Sequence, residues 1–574
     1  MPIHNNDIAG IFNKVADLLE LEGENQFRVR AYRTAAQTVS SMGENLSSMI
    51  EKGEDLTRFS GIGKDLAGKI KTIVETGSLP LLVDLEKKVP EELTIIMQVG
   101  GLGPKRVKTL YDELGIQSID ELEKAASEKQ IRKIRGFGKK TEEAILEGIG
   151  QVRQGGQRRL WSDVEEIASG LVDYLHRAKK VKEVIVAGSF RRRKETVRDI
   201  DILATCSKGS NLMDRFVSFD EVNKIVSKGE TRSTVILRSG LQADLRVLPQ
   251  VSYGAALHYF TGSKEHNIAI RKRGVKQGLT INEYGVFRNE KRIGGKKEQD
   301  VYDAVGLPYI EPELRENRGE IEAAQKKKLP HLVTFDDIRG DLHVHTNETD
   351  GREPLKVMVE AARKRGYDYI AITDHSKHVS VANGMDIKRL RKEIEAIDKL
   401  NDSIKGFHIL KGIELDILDD GSLDLPDEVL KELDLTVCSV HYKFKLPENK
   451  QTERIIRAMD NRYVTILGHP TGRKINDRAP YDVDVNRVLE AAKERGCFME
   501  VNGQPDRLDL SDTYCRTAKE MGVKCSLATD AHMGSNFDFI HYSLAQARRG
   551  WLEPDDIINT RSYSSLKKLI SQRR

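Results

Sequence analysis

The middle of the chain is organised around Gly188-Ser189-Phe190-Arg191-Arg192-Arg193, which Arg198-Asp199-Ile200-Asp201 follows. The apolar residues 184–187 predict a strand that ends at the glycine turn. The alternation in residues 199–203 predicts a second strand with both carboxylates on one face. Two carboxylates so placed can hold a hard divalent cation such as Mg²⁺, and the N–H groups of the Gly-Ser turn can bind phosphate. The pattern therefore favours metal-assisted nucleotidyl transfer over a solvated acidic strand beside a basic turn.

Length and composition describe a multidomain globular protein. At 574 residues the chain exceeds the size at which a single core stops growing, and its 39% apolar and 32% charged residues exclude a disordered chain. No apolar run is long enough to span a membrane, and no signal-peptide pattern opens the sequence. The five cysteines lack metal-ligand spacing and are typical of reduced, buried thiols. We therefore expect a cytoplasmic protein with no membrane partner.

Basic residues are concentrated around the central motif. Residues 151–300 contain 29 Lys and Arg against 18 Asp and Glu, whereas residues 336–574 contain 38 against 41. A basic excess beside a phosphate-binding turn predicts a polyanionic partner. Charge alone does not distinguish nucleic acid from another acidic partner.

The first 150 residues are helical by pattern and contain one short motif three times. Residues 59–64, 99–105 and 134–139 each have a Gly-apolar-Gly core, a basic residue and a helical pattern behind it. One copy would be an ordinary turn between helices. Three copies resemble helix-hairpin-helix motifs, which grip the DNA backbone at the free N–H groups of a helix N-terminus. The glycines of the expected DNA contacts are Gly61, Gly63, Gly101, Gly103, Gly136 and Gly138. Gly61 and Gly103 are the strongest candidates.

A predicted hairpin supplies a third carboxylate to the central motif. Residues 233–238 and 242–247 have the pattern of two strands around a Ser-Gly turn, and the second strand carries Asp244. Together with Asp199 and Asp201 it would form a three-carboxylate site. Two divalent ions held there would activate a primer 3′-hydroxyl and neutralise a triphosphate, and Asp244 would take part in that activation.

A more specific signal comes from the segment Tyr259-Phe260-Thr261-Gly262-Ser263-Lys264-Glu265-His266-Asn267-Ile268-Ala269-Ile270-Arg271. It resembles the thumb of family X DNA polymerases, and residues 27–33 resemble the domain that binds the 5′ side of a gap in that family. The resemblance implies Mg²⁺ or Mn²⁺ at the three carboxylates and a DNA partner.

The same resemblance implies a set of nucleotide contacts, with triphosphate oxygens at the glycine turn and the sugar at the thumb. The residues so placed are Gly188, Ser189, Arg192, Tyr259, Phe260, Gly262, Asn267 and Arg271. Asn267 would contact the base or sugar edge and Arg271 the templating strand. Two positions depart from animal relatives. Gln242 stands in place of an arginine, and Lys264 in place of an acidic residue.

Lys69 follows the first hairpin, where family members that remove 5′-deoxyribose phosphate have a Schiff-base lysine. A lysine is nucleophilic at neutral pH only where it is desolvated or lies beside other cations. Asp65 stands where better-studied relatives have a second basic residue. Lyase activity through Lys69 is therefore one hypothesis, and a phosphate contact or a surface lysine is the alternative.

The last third of the chain has a different pattern. Seven apolar runs follow residue 336, most separated by helical patterns and most ending in a metal-ligand residue type. Parallel strands buried on both faces and followed by helices form a βα barrel whose chemistry lies at the strand carboxyl ends. The pattern predicts a distorted (β/α)₇ barrel. Six of the fourteen histidines lie in the strand-end clusters, whereas His378, His408 and His541 lie outside them and are interpreted as structural.

The strand-end residues resemble the PHP (polymerase and histidinol phosphatase) family at all nine of its metal-ligand positions. These residues are His343, His345, Asp350, His375, Glu414, His441, His469, Asp530 and His532. The resemblance implies three divalent metals, which would be Mn²⁺, Zn²⁺ or Fe. Their expected ligand sets are His343, His345, Glu414 and Asp530; Glu414, His441 and His469; and Asp350, His375 and His532. Such clusters hold phosphate oxygens and activate water near neutral pH, which favours an active phosphoesterase over a degenerate scaffold.

The whole chain resembles bacterial family X DNA polymerases with a C-terminal PHP domain. We expect a multidomain α+β and α/β fold, with helix-hairpin-helix domains, a nucleotidyltransferase palm, a thumb and the PHP barrel. The expected boundaries are 1–85 for the gap-binding domain, 86–150 for the second helix-hairpin-helix domain, 151–250 for the palm, 251–315 for the thumb, 316–335 for a linker and 336–574 for the PHP domain.

The resemblance implies filling of short gaps in DNA repair, together with 3′→5′ exonuclease activity and abasic-site cleavage by the PHP domain. The partners would be gapped or primed DNA and dNTPs, bound by a monomer at the bacterial nucleoid. Two alternatives stay open. One is a nucleotidyltransferase that needs no template, and the other is a small-phosphate monoesterase whose front half only binds DNA.

Overall fold

The computed structural model describes residues 5–573 except 41, 43–45, 52, 60, 77, 89–92, 94, 95, 98, 100, 101 and 154–157. The chain forms two compact units, residues 1–157 and residues 158–574. Every strand that the structure describes belongs to the second unit. In the described ranges, no helix is both long and apolar enough to cross a membrane.

The first unit is helical because its apolar residues recur at three and four positions. Ile8, Phe12, Val15 and Leu19 lie on one face of the first helix and are buried. Its helices are α1 (Asn5–Glu22), α2 (Gln26–Ser40), α3 (Leu46–Glu51), α4 (Lys64–Thr76), α5 (Pro80–Lys88), α6 (Pro104–Leu114), α7 (Ile119–Ser127) and α8 (Lys139–Arg153). The ring of Phe12 meets that of Tyr32 edge-on at 5.5 Å, which joins α1 to α2.

Each of the three glycine motifs leads directly into a helix. Helices α4, α6 and α8 begin at the residue that follows the last glycine of a motif. Gly61 and Gly136 share a φ of +91°, and a Cβ on Gly61 would lie 2.7 Å from Thr34 Cγ2. Only glycine avoids both the strain and the clash at this turn. Gly101 lies outside the described residues, and phosphate contact at the other motif glycines stays a prediction.

The second unit begins with the palm, and the predicted hairpin is present in it. The strands are β1 (Arg159–Leu160), β2 (Val181–Val186), β3 (Thr196–Val197), β4 (Asp199–Cys206), β5 (Val222–Lys228), β6 (Arg232–Leu237) and β7 (Gln242–Val247). The helices are α9 (Trp161–His176), α10 (Gly188–Arg191) and α11 (Leu212–Val217). A five-stranded sheet has the order β2-β4-β7-β6-β5, in which β6 pairs antiparallel with β7 and β7 lies parallel to β4. Helix α9 packs its apolar face on this sheet.

The thumb and the linker follow the palm along the chain and pack against each other. Their elements are α12 (Tyr253–Thr261), α13 (Lys264–Lys276), β8 (Thr280–Asn282), β9 (Gly285–Arg288), β10 (Lys291–Gly294), α14 (Gln299–Ala304) and α15 (Glu320–Gln325). The composition of the linker allows a helical connector or a flexible spacer. The structure shows the first, because residues 320–325 form α15, Glu320 is fully buried and Ile321 joins the thumb core.

The PHP region consists of parallel strands separated by helices. The strands are β11 (Gly340–Val344), β12 (Tyr369–Ile372), β13 (His408–Lys411), β14 (Glu414–Asp416), β15 (Val437–Ser439), β16 (Ile466–Leu467), β17 (Phe498–Asn502) and β18 (Cys525–Ala528). The helices are α16 (Leu355–Lys364), α17 (Ile387–Ser403), α18 (Asp427–Leu430), α19 (Glu448–Met459), α20 (Val485–Arg495), α21 (Asp512–Met521), α22 (Ile540–Arg549) and α23 (Tyr563–Ser571).

The seven predicted runs of the PHP region appear as eight strands. The third apolar run breaks at Gly412, where a Cβ would lie 2.7 Å from the carbonyl oxygen of Ile372, and two strands result. The eight strands form two parallel sheets, β11-β12-β13 and β14-β15-β16-β17-β18. Single parallel bridges, Val344 with Ala531 and His375 with Glu414, link the two sheets. The predicted metal ligands stand at these linked strand ends.

Candidate active sites

Three carboxylates meet on neighbouring strands of the palm. Asp201 of β4 lies opposite Asp244 of β7, and Asp199 lies two residues earlier on β4. Burial, followed by the charges of Asp199 and Asp244, raises the pKa of Asp201 to about 7. Burial and the charge of Asp244 also raise the pKa of Asp199. A divalent cation would relieve the repulsion behind these shifts, so the three residues fit a metal site.

Asp244 is held by three side chains that fix the direction of its carboxylate. Thr234 Oγ1 donates to Oδ1 at 2.6 Å, Gln242 Nε2 donates to Oδ2 at 2.7 Å, and Arg232 Nη2 lies 3.2 Å from Oδ1. In the sequence, Gln242 stands out only as a departure from animal relatives. Thr234 and Arg232 do not stand out at all, although the pairing of Thr234 with Asp244 follows once the hairpin register is known.

The glycine turn lies directly against this acidic cluster. Gly188 has a φ of +63°, and a Cβ there would lie 2.8 Å from Asp201 Oδ2. Any other residue would therefore be strained and would collide with the carboxylate. Ser189 is partly buried in the short helix α10. The glycine turn and the carboxylates are therefore adjacent. This arrangement is needed if one substrate binds its phosphates at the turn and its metal ions at the carboxylates.

Arg192 is anchored by protein groups on three sides. Its Nε donates to Glu316 Oε1 at 3.0 Å, its Nη1 donates to the carbonyl oxygen of Thr261, and its own carbonyl accepts from Arg549 Nη1 at 2.8 Å. Its predicted role at the triphosphate therefore rests on the remaining nitrogen, Nη2, which makes no hydrogen bond within the described residues. Sequence pattern does not reveal Glu316 or Arg549 as partners, because both lie far along the chain.

The neighbouring Arg191 has a structural partner instead. It forms two hydrogen bonds with Glu298, at 2.9 and 2.8 Å, and Arg315 also contacts that carboxylate. Burial alone would raise the pKa of Glu298, but Arg315 and Arg191 lower it strongly. This buried cluster ties the glycine turn to the thumb.

The thumb motif is arranged around two aromatic rings. The rings of Tyr259 and Phe260 lie 5.1 Å apart, with Arg246 4.6 Å from Phe260 and Arg271 6.0 Å from Tyr259. Asn267 donates to the carbonyl oxygen of Tyr259 at 2.6 Å and is buried. Its amide oxygen is buried and has no hydrogen-bond partner among the described residues, and the predicted contact with a nucleotide stays a prediction.

Gly262 ends the helix that carries these rings. It has a φ of +72°, and a Cβ at this position would lie 3.1 Å from Arg192 Nη1. The thumb turn and the palm turn therefore contact each other through Arg192. Glycine at this position permits both the turn and the contact.

Lys69 lies beside an acidic side chain and an aromatic ring. Its Nζ forms an ion pair with Asp65 one helical turn earlier and lies 5.6 Å from the centre of the Tyr32 ring. The lyase hypothesis for Lys69 stays untested.

The nine predicted PHP ligands lie together at the strand ends, with Glu414 at the centre. The carboxylate of Glu414 lies between 2.9 and 3.5 Å from five imidazoles. They belong to His343, His345, His375, His441 and His469. Asp350 lies 3.4 Å from His375 and 3.3 Å from His532, and Asp530 lies 3.2 Å from His345.

The ligand atoms form smaller groups that cross the three expected sets. Three groups have ligand atoms within 4.8 Å of one another: His345, Asp350, His375 and His532; His343, His345 and Asp530; and His375, Glu414 and His441. His345 and His375 thus each belong to two groups, and His469 lies beside Glu414 outside them. The assignment of ligands to individual metals stays a prediction.

The donor atoms themselves fit divalent metals. Buried imidazole nitrogens of His343, His345 and His375 have no hydrogen bond among the described residues. Buried nitrogens without hydrogen bonds are costly unless a ligand binds them. Mixed imidazole and carboxylate donors of this kind suit Mn²⁺, Zn²⁺ or Fe.

Acidic residues behind the ligands orient two of the imidazoles. Glu500 Oε1 lies 2.5 Å from His343 Nδ1, and Asp416 Oδ1 lies 3.2 Å from His441 Nδ1. Burial would lower the pKa of His343, but Glu500 and two further carboxylates raise it well above its usual value. Burial is likewise outweighed at His441, where Glu414 and Asp416 raise the pKa to about 9. Glu500 belongs to a predicted strand end, but its role as a partner of His343 is not evident from the sequence.

The palm and the PHP region contact each other within the second unit. His541 Nε2 and Tyr542 Oη each lie 2.9 Å from Glu165 Oε2, and Arg473 Nη2 lies 2.8 Å from Glu195 Oε2. Of the histidines interpreted as structural, His541 thus makes an interdomain contact. His408 stacks on Tyr563 at 3.7 Å, and His378 lies 3.4 Å from Asp416.

Family models match four parts of the chain. They are a helix-hairpin-helix domain over residues 3–79, a SAM-like helix-hairpin-helix tandem over 92–151, the DNA polymerase beta thumb over 256–316 and the PHP domain over 341–504. The matched parts define the class: a DNA polymerase of the beta type joined to a PHP domain. Helix-hairpin-helix and thumb matches imply that the chain binds DNA, and the two sites imply divalent metals.

Whole-chain similarity identifies the family. The DNA polymerase/3′-5′ exonuclease PolX of Bacillus subtilis (strain 168) is 35% identical over 576 residues, which covers 99% of this chain and 100% of that protein. The chain belongs to the PolX family. The PHP part alone is 31% identical over 250 residues to a probable phosphatase of Thermoanaerobacter sp. (strain X514), covering 41% of this chain and 95% of the relative. A probable phosphatase of Caldanaerobacter subterraneus subsp. tengcongensis is 32% identical over 251 residues, covering 41% of this chain and 93% of the relative.

Proposed function

We propose that the chain is a DNA-directed DNA polymerase that fills short gaps during DNA repair, and that its PHP domain is a metal-dependent 3′→5′ exonuclease. The observation that carries the polymerase half is the juxtaposition of Asp201, Asp244 and the Gly188 turn. It puts carboxylates for cations and backbone N–H groups for phosphate beside one another. Membership of the PolX family supports the combination of both activities in one chain.

In the palm, Asp199, Asp201 and Asp244 would hold Mg²⁺ or Mn²⁺. When bound, such ions lower the pKa of a primer 3′-hydroxyl and neutralise the charge of a triphosphate. The chain's own part is positioning. Thr234 and Gln242 hold the Asp244 carboxylate toward its neighbours, and the turn at Gly188 and Ser189 offers N–H groups to the triphosphate.

The thumb would orient the sugar and base of the dNTP. Tyr259 and Phe260 form a wall against the sugar, and Gly262 lets that wall approach Arg192. The amide oxygen of Asn267 would contact the base or sugar edge, and Arg271 would contact the templating strand. These assignments make a ribose 2′-hydroxyl unfavourable at the wall.

In the PHP domain, the nine strand-end residues would hold three divalent ions around Glu414. Bound metals there would polarise a phosphodiester and activate water. Glu500 and Asp416 keep Nδ1 of His343 and of His441 occupied, so that Nε2 of each ring is presented to a ligand. Cleavage at abasic sites would use the same residues on a different phosphodiester.

A single substrate tests both halves. A duplex with a short gap and a labelled primer is incubated with Mn²⁺, with and without dNTPs. We expect template-directed extension to fill the gap when dNTPs are present and shortening of the primer when they are absent. Extension that ignores the template base would support a template-independent transferase instead, and an unchanged primer in both reactions would contradict the proposal.

A second candidate function for the PHP domain is hydrolysis of small phosphate monoesters. It is favoured by the similarity of the PHP part to two probable phosphatases. The two functions differ in the preferred substrate, so kcat/KM for a 3′-terminal phosphodiester and for p-nitrophenyl phosphate decides between them. A higher value for the monoester would make the exonuclease assignment wrong.

Three further features belong to the proposal. We infer that the protein works as a monomer at the nucleoid of a bacterial cytoplasm, which light scattering and cell fractionation would test. Its cysteines are unpaired, as a reducing compartment requires. Lyase activity at Lys69 is the third feature. Borohydride trapping on a 5′-deoxyribose phosphate end would reveal the Schiff base if it forms.

A further inference from the structure

Arg549 is a PHP residue whose side chain reaches the palm. It ends helix α22, and its side chain is 3% exposed. Nη1 donates to the carbonyl oxygen of Arg192 at 2.8 Å and to Glu316 Oε1 at 3.0 Å, and Nη2 donates to Asp512 Oδ2 at 2.6 Å. One guanidinium thus joins the palm turn, the linker and the PHP domain.

Glu316 is shared between this arginine and the palm. Its Oε1 accepts from both Arg192 Nε and Arg549 Nη1, each at 3.0 Å. Burial would raise the pKa of Glu316, but Arg549, Lys194 and Arg192 together lower it to about 2. The carboxylate is therefore an anion at any pH at which the protein works. It is also the only linker group among residues 158–573, all of which the structure describes, that bonds both arginines.

These contacts leave Arg192 with one unused donor group. Its backbone N–H bonds to the carbonyl of Gly188, its carbonyl to Arg549, its Nε to Glu316 and its Nη1 to Thr261. Nη2 has no hydrogen bond within the described residues. An arginine with a fixed backbone and two fixed guanidinium nitrogens loses little conformational entropy when a phosphate binds the third nitrogen.

We propose that Arg549 is a positioning residue of the polymerase site: by holding Glu316 and the carbonyl of Arg192, it keeps the guanidinium of Arg192 ready for the triphosphate of a dNTP. The PHP domain thereby supports nucleotide binding in the palm, a role separate from its own chemistry. The inference rests on the proposed polymerase function, since it concerns the affinity of that site for its nucleotide.

The adjacent arginine is a matched control. Arg548 lies on the same helix and makes a contact of the same kind with the end of the thumb, where its Nε donates to Glu313 Oε1 at 2.8 Å. Its Nη1 donates to the carbonyl of Val333 in the linker at 3.0 Å. It is 14% exposed at its side chain, and within the described residues it makes no contact with Arg192 or Glu316. A defect that arises only from weakened docking of the PHP domain should therefore appear in Arg548→Gln as well.

The test compares full-length wild type with Arg549→Gln, Arg549→Lys and Arg548→Gln. Incorporation of one nucleotide into a gapped duplex gives KM for the dNTP and kcat, and primer shortening without dNTPs gives the exonuclease rate. We expect Arg549→Gln to raise KM by about tenfold or more, with kcat changed far less, because a charge-assisted contact that orients a ligand-binding group is lost. Exonuclease activity and Tm should match those of Arg548→Gln, whose KM should stay near that of wild type.

The conservative variant and a double mutant protect the test against misfolding. A lysine can contact only part of the Arg192, Glu316 and Asp512 set, so Arg549→Lys should have an intermediate KM. Glu316→Gln should raise KM as well, and combining it with Arg549→Gln should add little, because both act through Arg192. An unchanged KM in Arg549→Gln, or an equal rise in Arg548→Gln, would overturn the inference. Failure of wild type to extend the primer would instead remove the proposed polymerase function.

Discussion

The two candidate metal sites of this chain are built in opposite ways. The palm site has three carboxylates from two neighbouring strands, and burial together with their repulsion raises the pKa of Asp201 to about 7. The PHP site surrounds Glu414 with five imidazoles drawn from strand ends across the domain, and these histidines hold its pKa well below its usual value despite burial. The palm site lacks positive charge when no cation is bound, whereas the imidazoles of the PHP site offset the negative charge of Glu414.

This difference in charge indicates which surrounding groups each site depends on. The palm carboxylates need cations for charge balance, and neighbouring residues such as Thr234 only aim them. The PHP ligands need their imidazoles held in orientation, which Glu500 and Asp416 do from behind. Mutations of the ligands should therefore separate the two activities. Mutations of the residues that orient the ligands should have effects of different size at the two sites.

The largest expected effect is the loss of one activity, synthesis or exonuclease, while the other is kept. Asp244→Ala removes one of three cation ligands and should lower template-directed synthesis by about a thousandfold or more, while exonuclease activity stays near wild type. His343→Ala should do the reverse, because it removes an imidazole next to Glu414. Both rates are measured on the same labelled gapped duplex, with and without dNTPs. Survival of primer shortening in His343→Ala would show that the metal-site assignment in the PHP domain is wrong.

The next effect should be confined to the PHP site. Glu500→Gln keeps the size of the side chain but removes the charge 2.5 Å from His343 Nδ1. We expect exonuclease activity at limiting Mn²⁺ to fall by about 10- to 100-fold, as is usual for residues that orient a metal-binding histidine. Higher Mn²⁺ should recover part of the rate, and synthesis should not change.

The exposed Glu494→Gln provides the control for Glu500→Gln, since its side chain is 74% exposed. Equal losses in the two variants would mean that the effect is not orientation of His343. A loss that no Mn²⁺ concentration relieves would mean that Glu500 acts on the reaction itself and not through metal affinity.

The sequence predicts the parts of both sites that depend on local pattern. Asp199 and Asp201 follow from alternation along one strand, and Asp244 follows from a predicted hairpin that is present in the structure. Most PHP ligands stand at predicted strand ends, and the full set of nine is what the resemblance to the PHP family implies. What cannot be predicted depends on contacts between distant segments, such as that of Arg549 with Arg192, which are 357 residues apart.

One detail of the PHP strands is not visible in the sequence. The third predicted run contains both β13 and β14, which are separated at Gly412, where a Cβ would lie 2.7 Å from the carbonyl oxygen of Ile372. Nothing in a run of apolar residues indicates that approach. The same holds for the charged linker, whose composition does not reveal that Glu320 is fully buried.

A smaller effect should come from the residue that aims Asp244. Thr234→Val keeps the shape of the side chain but removes the hydroxyl that donates to Oδ1 at 2.6 Å. We expect synthesis at limiting Mg²⁺ to fall by about tenfold, because a hydrogen bond to a charged group is lost. Thr234→Ser keeps the hydroxyl and should stay close to wild type. Equal defects in the valine and serine variants would show that packing, and not the hydrogen bond, is what Thr234 contributes.

The smallest expected effect is a pH-dependent stabilisation by Mg²⁺, and it follows from the charge imbalance of the palm. The pKa of Asp201 is about 7 in the folded protein against an unfolded value of 3.8, so the folded state binds the proton more tightly. The corresponding stability is fully present below about pH 4 and is lost as pH rises through about 7. Mg²⁺ binds the deprotonated carboxylates and should offset that loss.

The test measures Tm of EDTA-treated protein with and without added Mg²⁺. The rise in Tm should be larger at pH 8 than at pH 5, and the difference between the two rises should be about 2–6 °C. Asp201→Asn cannot titrate and should lose most of this difference, whereas ions bound at the PHP site would contribute equally to both proteins. A Mg²⁺ effect that is the same at both pH values in wild type would mean that burial and the neighbouring carboxylates do not raise the pKa of Asp201, and the contrast between the two sites would then disappear.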